Sequence, residues 1–150
     1  MPTITNRYGE NGIWWNGDEL PKYGDVATYR DVNSEYIYIL GNPPNHFTDF
    51  PDKLYIYMAR VPAADAFDLD KYEYWWGREQ GWKSEPLTEF NCETAVMWGA
   101  GQGQIVYNKH FETYFYVGLD LGKFCPPFPD GRAVTDSCRR NRVLEGCPKS

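Results

Sequence analysis

Between residues 26 and 119 the chain alternates short, aromatic-rich apolar runs with brief stretches of Gly, Asn, Asp and Pro. Val26–Arg30 and Glu35–Gly41 are two such runs, separated by Asp31, Val32, Asn33 and Ser34. Asp and Asn favour tight turns by bonding nearby backbone groups, so this pair reads as a hairpin. Further strands are expected near 53–61, 71–76, 95–98, 104–107 and 112–119, with Trp82-Lys83 starting a short return. Asn108 to Phe111 closes the last two long strands into a second hairpin. Pro62–Leu69 reads as a helical piece of about two turns, since Pro is tolerated in a first helical turn. No apolar segment repeats at helical spacing for long enough to pack a helix, so the expected class is all-β.

The strands are apolar on both faces. Tyr36, Tyr38 and Leu40 point one way, and Ile37 and Ile39 the other; Tyr55, Tyr57 and Ala59 oppose Leu54, Ile56 and Met58. A sheet with one wet face alternates apolar and polar residues, whereas two-sided strands need cover on both sides. That pattern fits a propeller blade or a sandwich core. Residues 1–24 read as loop with at most one short strand, anchored by Trp14 and Trp15.

Composition sharpens the picture. The chain has 150 residues, 17% of them aromatic, and a net charge of −6. Residues 1–122 carry 9 basic and 18 acidic side chains, whereas residues 123–150 carry 6 basic and 3 acidic ones. An acidic body repels phosphate backbones, so nucleic acid is not an expected partner. No run is long and apolar enough for a transmembrane span, and MPTITNRYGENG holds no apolar core of a signal peptide. Residues 1–122 are expected to form the domain, and 123–150 an irregular tail without alternation. Cys92, Cys125, Cys138 and Cys147 lack paired metal-knuckle spacing, and both free thiols and disulfides stay open.

The runs YIYILG, LYIYMARVPAADAFDLDKYEYW and GAGQGQIVYNKHFETYFYVGLD resemble the DUF4185 family. There, an A-R-V-P strand end is followed by a short acidic turn and a Y-x-Y-W strand. The resemblance covers about Tyr23 to Asp120 and implies a five-bladed β-propeller, secreted, with some members cleaving D-arabinan. A blade of four strands takes about 40–50 residues, so 150 residues supply about three blade-like antiparallel sheets. The expected fold is therefore an incomplete β-propeller with an irregular tail, open at one edge and able to self-associate there. A polysaccharide is the expected partner; no cofactor and no metal is expected.

Hydrolysis of a glycoside needs two carboxylates, about 5–5.5 Å apart for retention or about 6.5–9.5 Å for inversion. Asp25, just before a strand, and Glu93, ahead of Thr94-Ala95-Val96-Met97-Trp98, are the catalytic candidates; Asp31 lies in the following turn. Solvated surface carboxylates would look the same. Trp98, Gln102, Gln104 and Tyr107 gather around a Gly-rich turn and are the substrate-binding candidates, with a packed β-bulge as the plainer alternative. Where many members of the family have Glu, this chain has Gln104, and an amide bonds a sugar without transferring a proton at neutral pH. The resemblance thus implies either a glycoside hydrolase acting on a furanose polysaccharide or a non-catalytic sugar-binding remnant. His46 and His110 have no partner at metal or triad spacing, and no G-x-S-x-G or phosphate-loop motif occurs.

Overall fold

Strand β1 (Lys22–Arg30) runs into β2 (Tyr36–Asn42) through the expected turn. The computed structural model describes residues 14–31, 33–49, 52–98 and 101–118. In the turn, the Asp31 N–H donates to the Tyr36 carbonyl at 2.8 Å. The Asp31 carboxylate accepts from the Asn33 N–H at 3.0 Å and from the Ser34 hydroxyl at 2.5 Å. Glu35, at φ 59°, takes the left-handed step that closes the turn.

Strand β1 begins earlier than its apolar run, at Lys22, because a bulge lets the chain cross Gly24 and Asp25 and resume pairing. The register jumps from Tyr23↔Gly41 to Ala27↔Leu40. Gly24 sits at φ 103°, a conformation that favours glycine, and opposite it a Cβ on Gly41 would come within 2.4 Å of the Lys22 carbonyl oxygen. Asp25 fastens the bulge: its two carboxylate oxygens accept from the Asn42 N–H and the Asn42 amide, each at 3.0 Å.

Strand β3 (Tyr55–Pro62) pairs antiparallel with β2 along its length, from Tyr36↔Pro62 to Gly41↔Tyr57. On its other edge it carries β4 (Glu73–Trp75) at Ala59 and Arg60, and β6 (Met97–Trp98) at Tyr55 and Ile56. Strand β5 (Trp82–Lys83) pairs with β4. These six strands form one antiparallel sheet, while β7 (Gly103–Asn108) and β8 (Thr113–Gly118) form a separate hairpin. Asn108 nucleates that hairpin's turn, its side-chain oxygen accepting from the N–H groups of His110 and Phe111.

The described chain is thus all-β and antiparallel, in two sheets, neither of which closes on itself. The helical piece expected over Pro62–Leu69 is corrected. Pro62 ends β3, and two separate three-residue 3-10 turns follow, Ala63–Asp65 and Leu69–Lys71. The reason is local: Asp68 is extended, at φ −110° and ψ 104°, and its carboxylate starts a new turn by accepting from the Asp70 N–H. No helix among the described residues is long and apolar enough to cross a membrane.

Two cores flank the sheet, as the two-sided strands require. On one face Tyr23, Ile39, Tyr55, Tyr57, Ala59, Val61, Tyr72 and Tyr74 meet Leu87 and Ala95, with Trp14, Trp15 and Phe90 packed against them. Trp15 donates its indole N–H to the Tyr74 hydroxyl at 3.1 Å, so the N-terminal Trp pair is an anchor. On the other face Val26, Ala27, Leu40 and Ile56 are covered by Ile105 and Tyr116 of the hairpin. The hairpin covers only one end of that face. Residues 119–150, including the expected tail, lie outside the described residues. Cys92 is disulfide-bonded; Cys125, Cys138 and Cys147 also lie outside them.

Candidate functional site

Antiparallel register decides which side chains share the part of the sheet that the hairpin leaves open. Tyr29 pairs with Tyr38, Tyr38 with Arg60, Arg60 with Glu73, and Trp75 with Trp82. Residues two apart point the same way, so these side chains and Tyr36 stand on one face. All of them are half-buried.

The rings form a belt across the strands. Tyr107 and Tyr114 of the hairpin lie 5.0 Å apart, centroid to centroid, and Tyr114 meets Tyr29 edge-on at 5.3 Å. Tyr29 neighbours Tyr38, which lies 6.1 Å from Trp82, and Trp82 meets Trp75 at 5.3 Å. At the far end the Arg60 guanidinium sits over both the Tyr36 ring, at 4.4 Å, and the Trp82 ring, at 4.2 Å. Its Nε donates to Glu73 at 2.7 Å, with the two side chains 21% and 36% exposed. A planar, weakly hydrated guanidinium suits such stacking better than an ammonium does.

Electrostatics fasten the hairpin end of the belt. Burial alone would raise the Asp31 carboxyl, but hydrogen bonds from Ser34, from the Asn33 N–H and from the Tyr114 hydroxyl outweigh it and hold the group below its ordinary value. The same contact, added to burial, pushes the Tyr114 hydroxyl up.

The residues singled out from the sequence scatter around this belt. Asp25 holds the β1 bulge through Asn42. Glu93 is exposed in the loop ahead of β6, where the Asn91 side chain accepts from its N–H, and β2 and β3 lie between it and Asp25. Trp98 pairs with Tyr55 and packs against the larger core. Gln102 is exposed in the loop before β7. Gln104 is exposed on the outward face of the hairpin, opposite Val117, whereas Ile105 and Tyr107 face inward. Of the set, Tyr107 alone joins the belt. The His46 ring bonds the Asp18 carbonyl at 3.0 Å, and no group of three or more metal-ligating side chains occurs among the described residues.

Sequence reasoning passed over Tyr29, Arg60, Trp75 and Trp82. The period-two placement of Tyr36 and Tyr38 was a visible signal, but the ring and cation contacts depend on cross-strand register, which no single strand displays. No known family model matches the chain, and no curated protein matches it.

Proposed function

We propose that this chain binds a carbohydrate polymer along the belt running from Tyr107 to Trp75. The observation that carries the reading is the half-open row Tyr38, Trp82 and Trp75 set about the Arg60–Glu73 pair. Tyr and Trp combine a large apolar face with a polar edge, which matches the apolar ring faces and polar rims of sugars. Several rings in series across four strands and the hairpin suit a polymer better than a single small sugar. In this reading the sheet and hairpin are blade-like parts of an incomplete propeller of the DUF4185 type, and the parent protein is secreted.

A glycoside hydrolase acting on a furanose polysaccharide is the second reading, with Asp25 and Glu93 as its carboxylates. Binding without turnover is favoured because both oxygens of Asp25 already accept from Asn42. Incubating the purified chain with D-arabinan separates the two. Retention of polymer with no released oligosaccharide supports the binding reading; released oligosaccharides select the hydrolase, and neither result rejects both. Self-association through an open edge is a separate proposal, supported by the exposed Phe111, Phe115 and Val117 of the hairpin.

A further inference from the structure

We infer that the Arg60–Glu73 pair selects uncharged sugars, reading two neighbouring hydroxyls and rejecting polyanionic glycans; this rests on the sugar-binding reading above. Tyr36 and Trp82 take up the π contacts of the guanidinium, and Glu73 takes its Nε hydrogen. Among the described residues no group takes up its terminal Nη hydrogens. The edge left for a ligand therefore offers in-plane donors. One Glu73 oxygen accepts from Nε, and the other stands beside it as an acceptor. Each sugar hydroxyl both donates and accepts, so a vicinal pair of hydroxyls fits a donor and an acceptor held side by side.

The charge balance points the same way. Arg60 is neutralised by its own partner, so the pair has no net charge to attract a carboxylated or sulfated sugar. The surrounding chain, at −6, repels polyanions over distances of the order of the Debye length. Glu73 would also face any incoming carboxylate directly. Arg60 and Glu73 are thus specificity-determining residues placed beside the stacking rings rather than reacting groups.

Affinity electrophoresis of the full chain through gels containing neutral D-arabinan or anionic polygalacturonate tests this. The expected result is retardation by arabinan, unchanged by added sodium chloride, and free passage through polygalacturonate. Glu73→Gln, which keeps shape and removes the charge, should weaken arabinan retention about tenfold, the loss of one charge-assisted hydrogen bond. It should also create a salt-sensitive affinity for polygalacturonate, which a merely structural role for Glu73 would not do. Arg60→Lys, which retains charge but loses the planar fork, should weaken arabinan retention without gaining the anionic polymer. Wild-type preference for polygalacturonate, or retention of both polymers left unchanged in folded Glu73→Gln, or arabinan retention left unchanged in folded Arg60→Lys, would overturn the inference while leaving sugar binding standing. Retention of neither polymer, with Trp82→Ala indistinguishable from wild type, rejects the sugar-binding reading itself.

Discussion

The Arg60 guanidinium carbon lies 4.2 Å from the centroid of the Trp82 ring, across two strands and 22 positions of sequence. Strand β5 contains only Trp82 and Lys83, and besides its pairing with β4 the Trp82 ring meets Arg60, Trp75 and Tyr38. Trp82→Ala should therefore cost about 1–2 kcal/mol of stability, from lost ring and cation contacts. Urea unfolding measures it; a cost below a few tenths of a kcal/mol would mean that β5 is held by its backbone pairing alone.

Asp25 distinguishes a structural carboxylate from a catalytic one. Asp25→Ala leaves the Asn42 N–H and amide without their acceptor at the bulge and should destabilise the fold by about 1–3 kcal/mol. The check is the midpoint of chemical unfolding alongside any arabinan turnover. Lost turnover with unchanged stability would restore Asp25 as a catalytic candidate.

How far the sequence led is clearest at these positions. The two-sided apolar runs located β2 and β3 within two residues of their ends, and Asn108 marked the second hairpin. The bulge at Gly24 escaped notice because a bulge is a property of paired strands, not of one. Pro62–Leu69 looked helical because Pro suits a first helical turn, but Asp68 is extended within it and begins a second short turn at Leu69. The belt was half legible. Tyr107 stood out beside glycines, whereas Arg60 read as an ordinary charged strand residue until register placed it between Tyr36 and Trp82.

Tyr57 and Tyr23 are buried, and among the described residues their hydroxyls meet no hydrogen-bond partner. Burial, the neighbouring Tyr55 and Asp52 push the Tyr57 hydroxyl well above the ordinary tyrosine range; burial, Tyr74 and Tyr57 do the same to Tyr23. Removing an unpaired buried hydroxyl should be neutral or stabilising, so Tyr57→Phe should change stability by no more than about 1 kcal/mol, and upward if at all. A clear loss in thermal unfolding would mean that the hydroxyl has a partner.

The same shifts set the alkaline behaviour. A group whose value is raised on folding contributes stability that is complete below its unfolded value and is lost as pH climbs. Stability should therefore fall above about pH 10, the ordinary tyrosine value. Tyr57→Phe should flatten that fall when unfolding is followed by circular dichroism. An identical alkaline limb would contradict the assignment.

Asp31 works in the opposite direction. Its carboxyl is held low, so its contribution is present above the ordinary aspartate value and is lost as pH falls through that value toward the lower folded one. Asp31→Asn should lower stability at neutral pH and converge with the wild type in acid. Parallel curves across that range would show that Ser34, Asn33 and Tyr114 do not favour the charged form.

The belt is tested most directly by the indole N–H resonances of the 6 Trp residues during titration with arabinan oligosaccharides. Trp82 and Trp75 lie on the belt, whereas Trp15 and Trp98 pack against the core on the other face of the sheet. Shifts confined to Trp75 and Trp82, saturating with ligand and absent in Trp82→Ala for the remaining Trp75 signal, are the predicted result. Shifts centred on Trp98, or none at any indole, would contradict sugar binding at this surface.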